Sequence, residues 1–239
     1  MLIHKSRKLS SANNASYRFL NSLRKEFKTL RKEILSHPFI ASIERGKAPV
    51  EKLKFFTEQQ YHIINGDLRN LALYIAISPE QWIREFFIEL IQGECIALAN
   101  LYKMADAMGV TKGELEASEP DARTLAFTNY FTRLGAYGTL GEISAAILLD
   151  FECWGENCFR LSKGLKKHYG LTHEDTKFLD AFYPISNQFY KNIIRIIREF
   201  AGSSEDRNRI KTAVRLGLDY ELMFWDTINN HKFKKPKQE

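Results

Sequence analysis

Three helical segments of this sequence each place a single acidic residue in the middle of an apolar stripe. The residues are Glu94, Asp150 and Glu221, and each lies in line at helical spacing with aliphatic and aromatic side chains. An unpaired charge in a dry core costs several kcal/mol unless the group takes up a proton. We therefore expect these helices to face a shared polar cavity, and the sequence predicts a pocket more clearly than it predicts a reaction.

A fourth helical stripe adds polar groups to the predicted pocket. Gln60 and Asp67 share a helical face with Phe56, Ile63 and Leu71. Aromatic side chains near the acidic residues could stack on the ring of a bound molecule. The candidate catalytic residues, expected to supply hydrogen bonds or acid–base function, are Glu221 and Asp150. The candidate ligand-binding residues are Gln60, Asp67, Glu94, Trp154, Tyr183 and Trp225.

Carboxylates on facing bundle helices first suggest a di-iron site, which draws on Glu from some helices and Glu-x-x-His from others. The sequence lacks those histidines, because the residues three positions beyond the acids are Ala97, Cys153 and Phe224. We therefore predict no metal site and no cofactor. The alternative is a divergent metal-dependent oxidase or oxygenase, with iron or manganese held by Glu94, Asp150 or Glu152, Glu221 and His62.

Helices are the only regular elements that the hydrophobic pattern predicts. They are expected at 14–36, 49–74, 79–108, 119–136, 140–169, 172–201 with an interruption at Pro184, and 204–231. Ser78-Pro79-Glu80-Gln81 has the form of a capping box at the start of one of them. We predict an all-α bundle that forms a single domain at 14–231, with basic tails at 1–13 and 232–239.

The composition restricts the partners and the compartment. The net charge is +6, but residues 1–36 hold nine Lys or Arg against two Glu, so the basic charge is concentrated on the first helix and the tails. A nucleic-acid reader more often carries such charge on its folded body. Three cysteines without a CxxC motif and no long apolar run predict a cytoplasmic protein that does not enter a membrane. We expect a homodimer that binds a small molecule and no nucleic acid.

Several short motifs in a fixed order resemble the TenA/PqqC/CADD group of proteins with the haem-oxygenase-like fold. They are His37-Pro38-Phe39 followed by Gly46 and Pro49, then Gln59-Gln60, Ala145-Ala146-Ile147-Leu148, and Glu221 before Phe224-Trp225. The run Met108-Gly109-Val110-Thr111 is most similar to the CADD-like branch. The resemblance implies a multi-helix bundle that encloses a central pocket.

The residues that would carry the chemistry of this group differ here. In TenA-type hydrolases an Asp holds the aminopyrimidine and a Cys attacks it, assisted by a Glu before Phe-Trp. Glu221 matches that Glu, but Gln60 and Asp150 stand at the positions of the Asp and the Cys. The His-x3-Asp-x2-His metal pattern of the CADD-like branch corresponds to Phe182, Ser186 and Phe189. Neither a thiaminase nor a di-iron oxidase of the usual kind is expected.

Three functions are consistent with these residues. The first is binding of a small, partly aromatic, amino-bearing metabolite in a carboxylate-lined pocket, with turnover left open. The second is the divergent metal-dependent enzyme described above. The third is a non-catalytic protein-interaction module, for which the basic first helix is the main argument.

Overall fold

A computed structural model describes residues 15–233 and contains no β-strand in that range. The helical residues 15–26 form α1. The remaining helices are α2 Lys28–Leu35, α3 Pro38–Glu44, α4 Val50–Ile77, α5 Gln81–Ala107, α6 Lys112–Glu116, α7 Ala122–Tyr137, α8 Leu140–His168, α9 Lys177–Asp180, α10 Asn187–Phe200 and α11 Ser204–Asn230. The all-α prediction is confirmed. The predicted tail at 1–13 and residues 234–239 lie outside the described range.

The two helices that carry Asp150 and Glu221 have strong start signals in the sequence. At α8 the side chains of Thr139 and Glu142 form a reciprocal capping box, and at α11 Ser203 and Asp206 do the same. Lys166, Lys167 and His168 occupy the last turn of α8, where positive charge interacts favourably with the helix dipole. These local signals mark where α8 and α11 begin.

The long helices pack as two walls, and α7 contacts both of them. One wall is formed by α4 and α5, the other by α8 and α11, and α7 contacts both α4 and α11. The buried hydrophobic core is continuous through all of these elements. No described helix is long and apolar enough to span a membrane.

Three helix boundaries differ from the sequence prediction. The expected helix at 14–36 is divided by a turn at Phe27, whose side chain is buried. The capping box expected at Ser78 does not form, because the Ser78 hydroxyl donates to the Tyr74 carbonyl at 2.6 Å and so satisfies the end of α4; α5 begins only at Gln81. The expected helix at 172–201 is reduced to α9 and α10, separated by an irregular segment around Pro184.

The irregular segment before α10 lies against α8 because α8 has a glycine at the point of contact. A Cβ atom built on Gly155 would lie 2.6 Å from the backbone oxygen of Phe182, which is far closer than a side chain allows. Gly155 therefore permits the backbone at Phe182 to lie directly on α8. This contact brings the Phe182 ring to the space between the two walls.

Candidate functional site

A cavity lies between the two helical walls. Its larger lobe has a volume of about 230 Å³, and a narrower lobe of about 50 Å³ shares six lining residues with it. The shared residues are Asp67, Glu94, Phe127, Asp150, Phe151 and Phe182. Glu89, Gly93 and Ala181 line the larger lobe and are also exposed, so the mouth lies between α5 and the irregular segment before α10.

The structure brings six of the eight predicted site residues to this cavity. Asp67, Glu94 and Asp150 line both lobes. Gln60, Trp154 and Glu221 line the narrow lobe but not the larger one. The helical stripes that suggested a pocket therefore converge, because the wall α4–α5 and the wall α8–α11 turn their polar positions toward each other. Which of these residues bind or act on a ligand stays a prediction.

Asp150 and Glu221 form a carboxyl pair at the narrow end of the cavity. Both residues are at least 96% buried, with relative exposures of 4% and 3%. Burial, followed by the charge of Glu221 and a hydrogen bond with it, raises the pKa of Asp150 well above its usual range. Burial also raises the pKa of Glu221 to about 8, against the opposing effect of hydrogen bonds from Trp225 and Asp150. At neutral pH the pair therefore holds at least one proton, which the two carboxyl groups can share or donate to another group.

Each member of this pair has one oxygen atom with no protein partner. Asp150 Oδ1 and Glu221 Oε2 are buried and make no hydrogen bond to any described residue. An unsatisfied buried oxygen costs about 1–3 kcal/mol, so such groups are usually matched by a ligand, an ion or water. A hydrogen-bond donor in the narrow lobe would complete the contacts of these two oxygen atoms.

Trp225 lies behind Glu221 and does not line the cavity directly. Its indole Nε1 donates to Glu221 Oε1 at 3.2 Å, and its ring stacks on Trp154 at a centroid distance of 5.3 Å and on Phe56 at 5.9 Å. Trp154 itself borders the narrow lobe. Trp225 is therefore placed to orient the carboxyl group of Glu221. Its ring does not line the cavity, in contrast to the predicted contact of this ring with a ligand.

Tyr183 is the predicted site residue that lies elsewhere. Its ring stacks on Phe159 at 4.8 Å, is 41% exposed, and borders a separate surface depression with Glu152 and Tyr190. Its neighbour Phe182 takes the place at the cavity that we expected for Tyr183. The backbone before α10 is irregular, so helical periodicity does not predict the direction of its side chains.

A second carboxyl pair, Asp67 and Glu94, lies on the opposite wall. Asp67 Oδ1 accepts a hydrogen bond from Thr128 Oγ1 at 2.9 Å and a long one from Asn70 Nδ2 at 3.4 Å. Burial raises the pKa of Asp67 to about 7 although these hydrogen bonds oppose the shift. Burial and the nearby charge of Asp67 raise the pKa of Glu94 to about 8.

The residues required by the metal-dependent alternative are not brought together. His62 Nε2 is paired with Ser118 Oγ at 3.0 Å, on a face of α4 away from the cavity. Glu152 points to the other side of α8, where it binds Arg24 and Arg31. Within residues 15–233, no group of three or more His, Cys, Asp and Glu side chains has an arrangement that could hold a metal ion. The donor set proposed from the sequence therefore does not fit the described structure.

The cysteines near the cavity are poor nucleophiles. Cys153 and Cys158 are buried on α8, and burial followed by the charge of Glu221 raises the pKa of both thiols far above the usual range. Cys95, by contrast, is exposed on α5. Burial therefore keeps both thiols protonated, which makes them poor nucleophiles.

Several cavity residues were not anticipated from the sequence. The apolar lining includes Phe127, Phe151, Phe182 and Phe224, and Asn70 and Thr128 hold Asp67. Phe151 follows Asp150 directly, and adjacent positions on one helix do not normally share a face. Asp150 and Phe151 both line the cavity because it is wide and is bordered by more than one face of α8.

The His37-Pro38-Phe39 motif has a structural role next to the site. His37 Nδ1 accepts from the Phe39 amide at 3.3 Å, which leaves Nε2 to donate to Asp226 Oδ1 at 3.2 Å. Phe39 also packs against Trp225 at 6.1 Å. The motif thus fastens the start of α3 to α11 beside the indole that orients Glu221.

These features define a class: an all-helical bundle with a carboxylate-lined cavity between its long helices. Among solved structures, a protein from Shewanella denitrificans OS217 described as having a heme oxygenase-like fold matches with a TM-score of 0.76 at 18% identity, covering 87% of this chain and 91% of that one. A TenA homologue from Pyrococcus horikoshii OT3 matches with a TM-score of 0.72 at 22% identity, covering 88% and 97%. The predicted haem-oxygenase-like fold is confirmed.

The family follows from the sequence match. The model of the TENA/THI-4/PQQC family matches residues 24–230, and the chain belongs to that family. An aminopyrimidine aminohydrolase of Halalkalibacterium halodurans is 29% identical over 206 residues, which cover 82% of this chain and 89% of the relative. An aminopyrimidine aminohydrolase of Helicobacter pylori is 22% identical over 200 residues, covering 81% and 90%. The predicted resemblance to the TenA group is confirmed.

Proposed function

We propose that this protein binds a small amino-bearing heteroaromatic molecule, of which an aminopyrimidine is the representative, in the cavity between its helical walls. The observation that carries the proposal is the Asp150–Glu221 pair, with two buried oxygen atoms that lack partners. The names of the two aminohydrolase relatives support the choice of ring. The expected absence of a cofactor, the homodimer and the cytoplasmic location stay predictions.

The chemistry of the pair matches the edge of an aminopyrimidine. The ring nitrogen accepts a hydrogen bond, and the adjacent exocyclic amine donates one. A protonated carboxyl group presents the complement, since its O–H donates and its carbonyl oxygen accepts. The raised pKa values of Asp150 and Glu221 keep a proton available at neutral pH. The aromatic lining from Phe151, Phe182 and Phe224 gives the ring faces to pack against.

Binding is tested by isothermal titration of the full chain with 4-aminopyrimidine, beside 4-methylpyrimidine, which lacks the amine. We expect the amine to bind at least about tenfold more tightly, because its N–H groups meet buried carboxyl oxygen atoms that have no partner among the described residues. Glu221→Gln and Asp150→Asn should each remove that preference. Asp219→Asn, on the exposed side of the same helix, is the matched control. Equal affinity for the two pyrimidines would contradict the proposal.

A second candidate function is hydrolysis of the bound amine, favoured by the same proton-holding pair and by the names of the relatives. With no reactive thiol at the site, water itself would attack the ring carbon. Glu221 in its ionised form would take the proton of the water, and Asp150 would protonate the leaving ammonia as the C–N bond breaks. Ammonia release from 4-aminopyrimidine measures this step. We expect Glu221→Gln to lower its rate by about 100-fold or more, and binding without ammonia release would leave the protein a binder only.

The interaction-module alternative has less support in the described residues. Arg24 and Arg31, two cations of the basic first segment, are bound to Glu152 and are largely buried, so they are not available to a partner. The remaining basic charge lies mostly on exposed positions of α1 and α2 and in the tails.

A further inference from the structure

The outward face of α5 carries large apolar side chains that stay exposed. Ile96 is 61% exposed and Ile88 is 43% exposed, and Cys95 and Ala99 are exposed beside them. These positions recur at helical spacing, so they form one stripe along the middle of the helix. Single exposed apolar residues are ordinary on a protein surface, whereas a contiguous exposed patch is typical of an interaction site.

A glycine lies next to this stripe at a position where the described chain does not require one. Gly93 is close to the middle of a 27-residue helix, where glycine is less favourable than alanine. A Cβ atom built on Gly93 would have no atom of residues 15–233 within 4 Å beyond its own helical turn. Glycine at such a position is typical of a place where another molecule approaches the helix backbone closely.

The outward face of α5 carries opposite charges in its two halves. Glu85 and Glu89 are exposed in the first half, and Lys103 is exposed in the second half. Glu94 is the middle residue of the helix, and Glu85 and Lys103 are equally far from it. The other charged residue of the second half, Asp106, lies beyond this range toward the helix end. An antiparallel copy of α5 would therefore place Lys103 of each copy opposite Glu85 of the other.

The same antiparallel pairing matches the apolar stripe to the glycine. Gly93 and Cys95 are equally far from Glu94, so a two-fold axis at the helix centre places Cys95 of one copy, with Ile96 beside it, level with Gly93 of the other. Such an axis keeps the same flank of both helices on one side of the pair. The branched side chain of Ile96 then occupies the open space over Gly93, and the two Cys95 side chains lie on the opposite flank.

We propose that a second copy of this chain docks on α5 in antiparallel orientation, with Ile96 of each copy against Gly93 of the other. This inference goes beyond the proposed function, because it assigns an interaction surface and its partner. Glu89 and Gly93 line the larger lobe of the cavity, so the second copy contributes its Ile96 to the rim of the mouth. Both cavity mouths then open on the same side of the helix pair.

Sedimentation equilibrium of the full chain measures the dissociation constant of this dimer. Gly93→Leu fills the space that receives Ile96, and Ile96→Glu places a charge on the stripe. We expect each variant to raise the Kd by about 30-fold or more, as the loss of a central interface contact does. Val50→Glu, at an apolar residue of similar exposure at the start of α4, is the matched control and should leave the Kd unchanged.

Thermal unfolding establishes that each variant is folded, which is expected because both positions on α5 are exposed. A parent chain that stays monomeric overturns the proposal. A dimer that Gly93→Leu and Ile96→Glu leave intact, or that Val50→Glu weakens as strongly, also overturns it, because the copies would then meet through another surface.

The antiparallel orientation is tested with the native thiol and with a charge exchange. Cys95 is the only exposed cysteine, so a short bis-maleimide, which adds one thiol at each end, should join two copies, and Cys95→Ser should abolish the product. Lys103→Glu places acids opposite each other and should raise the Kd by about threefold or more. Glu85→Lys combined with Lys103→Glu should restore the parent value. A dimer that is not joined at Cys95, or that the charge exchange does not restore, contradicts the proposed pairing.

Discussion

Two carboxyl groups two residues apart on α8 have opposite environments. Asp150 faces the cavity beside the acid Glu221, and no Lys, Arg or His in residues 15–233 pairs with it. Glu152 faces the other side of the helix, where Arg24 Nη2 and Arg31 Nη2 lie 2.5 Å and 2.8 Å from its carboxyl oxygens and Tyr190 Oη donates at 3.0 Å. One acid is left unsatisfied, and the other is fully paired.

The difference separates a group that stabilises the fold from a group that we propose to bind a ligand. Glu152 connects α1, α2, α8 and α10 through three partners, so its charge contributes to the fold. Asp150 reaches no such partner, and burial without compensation makes its ionised form unfavourable. A buried acid that destabilises the free protein is retained more readily where a bound molecule completes its hydrogen bonds.

The largest effect that follows from this comparison concerns loss of the paired carboxylate. Glu152→Gln leaves Arg24 and Arg31 largely buried without a counter-charge, so we expect the free energy of unfolding to fall by about 3 kcal/mol. Urea denaturation at pH 7 measures the change.

Asp150→Asn is the matched variant on the same helix. Asp150 makes no ion pair with a described residue, so this substitution breaks none. The free energy of unfolding should therefore stay constant or rise. Equal losses of unfolding free energy in Glu152→Gln and Asp150→Asn would show that the two carboxyl groups contribute equally to stability, which contradicts the comparison.

A second effect concerns pH and the cavity acids. The pKa of Glu221 is about 8 in the folded protein and near 4.5 when unfolded, so between these values the folded state holds a proton that the unfolded state has lost. The stability from this group is complete below about pH 4.5 and is lost as pH rises toward 8. Asp67 and Glu94 act in the same direction.

Glu221→Gln should therefore flatten the decline in stability with pH. Each group titrating in this way contributes up to about 1.4 kcal/mol per pH unit, so between pH 6 and pH 7 the variant should lose less stability than the parent by about that amount. Urea denaturation at several pH values gives the slopes. Glu205→Gln, an exposed acid on α11, serves as control, and a slope that is the same in all three proteins would mean that Glu221 is ionised in the folded state.

The sequence predicted the wall residues well because helical periodicity is a local property. Gln60, Asp67, Glu94, Asp150 and Glu221 each interrupt a regular apolar stripe, and such stripes must face the interior. The same reasoning placed Tyr183 wrongly, since the backbone around Pro184 is not helical. Partners distant in sequence, such as Arg24 and Arg31 for Glu152, left no signal, because separations of 128 and 121 residues produce no local pattern.

A third and smaller effect tests how the indole supports the cavity. Trp225→Phe removes the Nε1–H donor to Glu221 Oε1, which matters most when Glu221 is ionised. We expect an additional loss of about 1 kcal/mol at pH 8.5 relative to pH 5.5, on top of a pH-independent packing loss. Trp154→Phe is a suitable control, since Trp154 belongs to the same aromatic cluster. An equal pH dependence in both variants would assign the effect to packing alone.

The smallest effect returns to the paired acid. Tyr190→Phe removes one hydrogen bond to Glu152 and leaves both arginines in place, so the free energy of unfolding should fall by about 0.5–1 kcal/mol. Burial and the charge of Glu152 raise the pKa of Tyr190 to about 12, so the hydroxyl stays a neutral donor and the loss should be the same at pH 5.5 and pH 8.5. A stability loss that is independent of pH would contrast with the steep pH dependence of stability expected from Glu221. If Tyr190→Phe cost as much as Glu152→Gln, the arginines alone would not satisfy the carboxylate, and the three partners would act as one cooperative unit.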